Sequence, residues 1–309
     1  MTGSTPSRDR PRRLSAGDRV AVVAPSGHID EARLERGVAV LASWGLDVVI
    51  GPHVLERTRH HAGSDEQRAE DLQSAWCDPS VTAVLCARGG SGAARVLDRL
   101  DWAAMRDAGP KVLVGFSDAT VLHEAVAHHL GLATLFGPMP ASVVFAGTDP
   151  DPVTLDHLRR TLLEPQSVRV LSHPGTSCHV DGRATGVTVG GTLALLASTV
   201  GTPESRKGAG AIAVLEDIAE PAYRLDSMLT QLERTGWFDG VAGVVLGSWT
   251  DCGDGALETV VERLAALGVP LMSGLPFGHG VPALTVPLGL AAELDAGAGT
   301  LTMLQPALR

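Results

Sequence analysis

Val112-Leu113-Val114-Gly115-Phe116-Ser117-Asp118-Ala119-Thr120 narrows the choice of folds more than any other stretch of this chain. Three aliphatic residues read as the end of a buried strand, and Gly115 breaks the run. From Ala119 to Leu130 the pattern turns helical, with Val121, Leu122, Ala125 and Val126 on one side. A strand that passes through a sharp turn into a helix is the repeating step of an α/β protein. One serine stands at the turn. Such a turn lifts a hydroxyl clear of the sheet and points backbone N–H groups at whatever the hydroxyl attacks. Small residues two before and two after it, Gly115 and Ala119, allow close backbone approach, although the second glycine of the G-x-S-x-G pattern is an alanine here. The plain alternative is a serine capping an ordinary helix, with Asp118 in its first turn.

The same step occurs earlier. Arg19 to Pro25 reads as a short apolar strand, Ser26-Gly27-His28 as a turn, and Asp30 to about Trp44 as a helix that Gly45 ends. Leu46 to Ile50 is a second strand. This βαβ unit predicts a parallel sheet with helices on its faces. The Ser26-Gly27 junction lacks G-x-G-x-x-G and G-x-x-x-x-G-K, which argues against a nucleotide site. Ser64 to Trp76 is a charged amphipathic helix. Val81 to Cys86 is a strand, followed by Arg88-Gly89-Gly90-Ser91-Gly92. Three glycines at a strand's carboxyl end make a loop whose N–H groups can face a ligand, and ligand sites of open α/β sheets lie at this edge.

After Phe136-Gly137-Pro138-Met139-Pro140 the regularity fades, and Gly147 to Pro152 is a turn cluster before a helix, Leu155 to Leu163. The expected division is a disordered lead over 1–14, an N-terminal nucleophile domain over 15–150, a linker region over 151–180 and a C-terminal domain over 181–309. In the second half Val168–Leu171, Ala184–Val189, Ala211–Leu215, Val241–Leu246, Leu284–Leu288 and Thr300–Leu304 read as strands. Leu193–Val200, Arg224–Arg234 and Leu257–Leu267 read as helices. The fold class is α/β: an N-terminal parallel-sheet domain of the Rossmann or flavodoxin kind, plus a smaller C-terminal α/β domain.

Composition removes some functions. With 309 residues there is room for two cores, and 44% hydrophobic against 19% charged residues describes a globular chain. The net charge of −10, with no long basic run, disfavours nucleic-acid binding and suits a cationic or neutral small substrate. Cys77, Cys86, Cys178 and Cys252 form no C-x-x-C pair, so zinc and redox motifs are absent, and a reducing compartment is expected. Met1 to Arg13 lacks the apolar core of a signal peptide, and no stretch of about 20 residues is apolar enough to span a membrane. A cytoplasmic protein is expected, without membrane association.

A serine nucleophile needs a base, and the base needs a partner that fixes its tautomer. Among eleven histidines, His279 lies between two glycines after an apolar segment, whereas His60-His61 and His128-His129 read as surface residues. Glu216 and Asp217 end the strand Ala-Ile-Ala-Val-Leu, where an acid can orient an imidazole or merely cap the next turn. Tyr223 stands beside Arg224, a candidate for fork-like binding of a substrate carboxylate, with Arg88 as its rival.

In number, order and spacing the segments resemble the LD-carboxypeptidases, serine peptidases that trim cell-wall muropeptides. The matching stretches are Gly17 to Ser26, Ala87-Arg88-Gly89-Gly90, Gly115-Phe116-Ser117-Asp118, Gly190-Gly191-Thr192-Leu193, Leu215-Glu216-Asp217, Tyr223-Arg224-Leu225-Asp226 and Gly278-His279. The resemblance runs from about residue 15 to about 305. It implies a Ser–His–Glu triad in a cleft between the domains, with Ser117 as nucleophile, His279 as base and Glu216 orienting it. It implies an oxyanion hole from the N–H groups of Asp118 and of Gly89 or Gly90. It further implies a homodimer, no metal and no organic cofactor. The substrate would be a muropeptide tetrapeptide, cleaved between an L-centred diamino acid and a terminal D-alanine. Two positions depart from the family pattern: Ser91 replaces an aromatic and Thr192 an asparagine, changes that would act on the substrate rim. A sister group that inactivates the antibiotic microcin C shares the triad and tends to have a longer aromatic-bearing loop. The short region Met139 to Leu155, with only Phe145, favours the muropeptide side. The non-enzymatic alternative is a two-domain protein in which Ser117 and the glycine loop only hold a carboxylate.

Overall fold

A computed structural model describes residues 7–309. With strands numbered in chain order, the first sheet contains β1 (Arg19–Val23), β2 (Asp47–Ile50), β3 (Val81–Cys86), β4 (Val112–Gly115) and β5 (Thr134–Phe136). They are parallel and lie in the order β2-β1-β3-β4-β5. That is the flavodoxin-like order, with its switch point between β1 and β3. β3 and β4 are almost wholly buried, which is why they are continuous apolar runs rather than alternating ones. The helices between them start where the sequence places caps. Asp30 caps the helix Glu31–Ser43 by accepting from the Arg33 N–H, and Ser64 with Gln67 forms a capping box on the helix Asp65–Cys77. The turns after β1, β3 and β4 therefore all open on one edge of the sheet.

The second sheet contains β6 (Val170–Ser172), β7 (Ser177–Val180), β8 (Arg183–Thr192), β9 (Ala211–Ile218), β10 (Gly243–Thr250), β11 (Leu271–Ser273), β13 (Ala291–Asp295) and β14 (Thr300–Met303), in the order β6-β14-β13-β8-β9-β10-β11-β7. β8 to β11 are parallel, and antiparallel strands flank them. The helices Ala222–Arg234 and Ala256–Ala265 cover one face, burying Leu225, Leu229, Leu232, Val260 and Leu264. The remaining strand, β12 (Val286–Leu288), leaves this half of the chain and pairs antiparallel with β5, closing the edge of the first sheet.

Three expectations change. The lead expected over residues 1–14 is ordered from residue 7: the Arg8 N–H donates to the Gly289 carbonyl, the Arg13 N–H to that of Arg309, and Leu14 is fully buried. Residues 1–6 lie outside the described ones. The 151–180 stretch is more than a connection, because the helix Pro152–Leu163 buries Leu158 and Leu162 in the core that also holds β1 and β3 side chains. The glycine pair does not end its strand. β8 runs through Gly190 (φ +131°) and Gly191 (φ +138°) to pair Thr192 with Glu216. A Cβ on Gly190 would fall 2.1 Å from the Val214 carbonyl oxygen, and one on Gly191 would fall 2.8 Å from Thr120 Oγ1. Gly190 thus lets β8 pass close to the β9 backbone, and Gly191 lets the second sheet approach the helix that follows Ser117.

Candidate active site

Ser117 opens a 3₁₀ turn, Ser117–Ala119, that leads into the helix Thr120–His129. Its φ is +61°, a region that non-glycine residues seldom occupy and that concentrates at functional turns. A Cβ on Gly115 would fall 2.7 Å from that of Ala119, so this glycine makes room for the alanine that replaces the expected second one. A Cβ on Gly89 would fall 2.8 Å from Ser117 Oγ and 3.4 Å from the Asp118 nitrogen. Only glycine fits there, and the backbone segments of Gly89 and Asp118 converge on the hydroxyl.

Three buried polar groups hold this arrangement. The Asp118 carboxylate accepts the Ala93 N–H at 2.9 Å, which ties the end of the glycine loop to the serine turn. Arg68, almost fully buried, donates to the carbonyls of Pro25 and Gly92 and pairs with Asp65, so one guanidinium joins the loops after β1 and β3. His123 donates from Nε2 to the Gly115 carbonyl at 2.9 Å. Burial pushes its pKa down to about 4, so it stays neutral beneath the turn. His61, expected at the surface, is buried beside Gly92, and burial lowers its pKa as well.

From the second sheet, β9 delivers Glu216 with no solvent exposure. Its Oε2 accepts from His279 Nδ1 at 2.7 Å and from the His279 backbone N–H at 3.2 Å. Its Oε1 accepts from the Thr192 hydroxyl at 2.5 Å, and the Thr192 N–H donates to Thr120 Oγ1 at 3.1 Å. Gly278 has φ +86°, and a Cβ there would fall 2.2 Å from Glu216 Oε2. The Phe116 ring packs edge-on against the imidazole, with centroids 4.8 Å apart. The neighbouring Asp217 points elsewhere. It accepts the N–H of Ala194, at the start of the helix Leu193–Ser198, and that of Ile218, the next residue of its own strand, and burial raises its pKa to about 6. Thr192, expected at the rim, is instead 2% exposed and braces the acid. Nothing in a single sequence shows this, because it depends on the register of β8 against β9.

A cavity of about 310 Å³ brings Ser117, His279, Arg88, Gly89 and Gly90 together. Among the described residues no hydrogen bond joins Ser117 to His279; contacts of this kind tighten when substrate fills a site. Tyr223 and Arg224 do not line the cavity: Tyr223 is 72% exposed, and Arg224 is paired with Glu220 at 2.6 Å. Ser91 is exposed and outside it too. Arg33, which nothing in the sequence singles out, lines it. No Asp or Glu does, so the local charge of the cavity is opposite in sign to the net charge of the chain. Chemically, a strained serine, an imidazole on a buried carboxylate and converging backbone groups suit acyl transfer. Among the described residues no group of three or more His, Cys, Asp or Glu is placed to hold a metal ion, and no helix is long and apolar enough to cross a membrane.

Comparison with known proteins agrees on one family. Residues 20–137 match the LD-carboxypeptidase N-terminal domain and residues 185–294 the LD-carboxypeptidase C-terminal domain. A Streptomyces coelicolor protein with carboxypeptidase in its name is 55% identical over 97% of both chains. The murein tetrapeptide carboxypeptidase of Pseudomonas aeruginosa is 36% identical over 94% of this chain and 97% of its own. Among solved structures, muramoyltetrapeptide carboxypeptidase from Oxalobacter formigenes superposes with a TM-score of 0.81 at 33% identity, covering 92% of this chain and 97% of the other. The microcin C7 self-immunity protein in complex with aspartyl sulfamoyl adenosine gives 0.88 at 22% identity, covering 97% of this chain and all of the other; that likeness speaks for the fold alone.

Proposed function

The chain belongs to the LD-carboxypeptidase family and is a serine-type carboxypeptidase, and we propose that it removes the terminal D-alanine of muropeptide tetrapeptides. In this reading Ser117 attacks the carbonyl between an L-centred diamino acid and D-alanine. His279 takes the hydroxyl proton and passes it to the leaving amine. Glu216 holds the imidazole in the right tautomer, and the N–H groups of Asp118 and of Gly89 or Gly90 receive the oxyanion. Water then releases the acyl group by the same route. The observation that carries the reading is the 2.7 Å bond from His279 Nδ1 to buried Glu216, in a residue that shares its cavity with the strained Ser117. The reading includes a cytoplasmic, dimeric enzyme of cell-wall recycling, with the nucleophile in residues 15–150 and its partners in 181–309.

A nucleotide-type substrate of the microcin kind needs a ring to stack on the base. Phe145 is fully buried against Trp44, and Phe116 is packed against His279, so neither is free for that. The deciding experiment offers the purified protein a tetrapeptide ending in D-alanine, an acyl-sulfamoyl adenylate and a serine-directed phosphonate. D-alanine release together with covalent labelling at Ser117 is expected. Cleavage of the adenylate alone would favour the microcin-type activity, and no labelling at all would leave a binding protein.

Arg88 lines the cavity from the loop after β3, next to Gly89, so it is the proposed reader of the terminal carboxylate. Arg88→Lys should raise KM for the free acid by about tenfold and much less for the C-terminal amide. Equal changes on the two peptides would remove that role. Thr192→Val should lower kcat about tenfold with KM little changed, because one oxygen of a buried carboxylate loses its donor. Thr192→Ser, which keeps the hydroxyl, should retain most of the rate. Equal losses in the two variants would show that the hydroxyl does not brace Glu216.

A further inference from the structure

The charge of the cavity deepens the carboxypeptidase reading and has meaning only if that reading holds. Arg33, Arg88 and His279 line the cavity without any carboxylate, while the whole chain carries −10. A positive cavity in a negative protein concentrates anions. Arg88 donates from Nη1 to the His28 carbonyl at 2.9 Å, and among the described residues its guanidinium makes no other hydrogen bond. Arg33 comes from a different element, the first turn of the helix Glu31–Ser43.

The next turn of that helix face holds the cavity wall. Arg36 Nε donates to the Ala146 carbonyl at 3.0 Å, and Gly37 admits the Pro140 backbone so closely that a Cβ would fall 1.9 Å from its oxygen. Arg33 is not consumed in this way. Its Nε is buried and has no hydrogen-bond partner among the described residues. Arg33 lines the cavity, and a guanidinium fork matches a carboxylate. Part of the lining is aliphatic, with Met139, Val143 and Val144, and suits a methylene chain. At about 310 Å³ the cavity is at the small end for ligand sites and takes the end of a peptide.

We propose that Arg33 is a specificity-determining residue that binds a second carboxylate, carried by the side chain of the residue that donates the acyl group. The enzyme then separates a diamino acid with a distal carboxylate from one without it. Arg88 meets the terminal carboxylate, the aliphatic lining takes the methylenes, and Arg33 meets the far end.

The test uses the full chain and two tetrapeptides ending in D-alanine that differ only in the third residue, diaminopimelate or lysine. Wild-type kcat/KM should favour diaminopimelate by about 10- to 100-fold, mostly through KM. In Arg33→Gln that ratio should shrink towards one, and Arg33→Lys should lie between, because it keeps the charge without the fork. Thermal unfolding of the variants reports whether a change reflects folding instead. A ratio near one in the wild type, or a ratio that survives in Arg33→Gln, overturns the assignment while leaving the carboxypeptidase reading intact. Cleavage of neither peptide by the wild type would sink that reading and this proposal with it.

Discussion

Ser117→Ala is expected to lower kcat for D-alanine release by about three or more orders of magnitude while the protein stays folded. The hydroxyl is the proposed attacking group, and no thiol nearby can replace it: Cys86 is buried beneath Gly115, with its pKa pushed up to about 12. Folding should survive because alanine removes one atom from a position that is not part of the core. It also keeps the same backbone demand, φ +61°, so the strain of the turn is neither relieved nor worsened. The measurement is D-alanine release under saturating tetrapeptide, beside thermal unfolding. More than about a tenth of the wild-type rate remaining would remove Ser117 from its role.

Glu216→Gln should cost on the order of 10²- to 10⁴-fold in kcat, with KM little changed. The substitution keeps the size and loses the charge that accepts from His279 Nδ1, so the imidazole loses both its fixed tautomer and the partner that stabilises its protonated form. Asp217→Asn is the control. That carboxylate receives two backbone N–H groups and has no bond to His279, so its replacement should act on stability and cost clearly less in kcat. A larger loss from Asp217→Asn would mean that the wrong acid has been assigned. The raised pKa of Asp217 gives the control a signature of its own. A carboxyl group whose folded pKa, about 6, lies above its unfolded value of about 4 destabilises the fold as pH rises between those values, since the folded state binds the proton more tightly. Thermal stability of the wild type should therefore fall over that window, and Asp217→Asn should flatten the fall.

Legibility in the sequence depends on how local each signal is. The strand Val81–Cys86 and the helices begun by Asp30 and Ser64 are readable to within a residue or so, because apolar runs and caps are written in adjacent positions. The short strands β5, β7, β11 and β13 are not, since three to five residues carry no period and owe their form to partners far along the chain. The same divide runs through the site. Ser117 and the glycine loop are visible from their own neighbours. The choice between Glu216 and Asp217 is not, because an apolar strand shows no preferred face, and family likeness makes that choice. Thr192 and Arg33 escape for a common reason: each acquires its place only when elements distant in sequence pack together. Tyr223 and Arg224 mislead in the opposite way, being close to Glu216 in sequence yet outside the cavity. Net charge misleads most simply, since an average over the whole chain says nothing about a cavity that two arginines dominate.

The path Thr120–Thr192–Glu216–His279 bears on recombination. Its first member sits three residues after the serine, on the helix of the first half, and the other three belong to the second. A hybrid that joins the first half of this chain to the second half of a relative therefore inherits a foreign neighbour for Thr120. Where that relative carries asparagine at position 192, a longer side chain must fit against Thr120 and Gly191, where the spacing is already close. Such hybrids should fold more readily than they turn over substrate, and activity should return when positions 120 and 192 are exchanged as a pair.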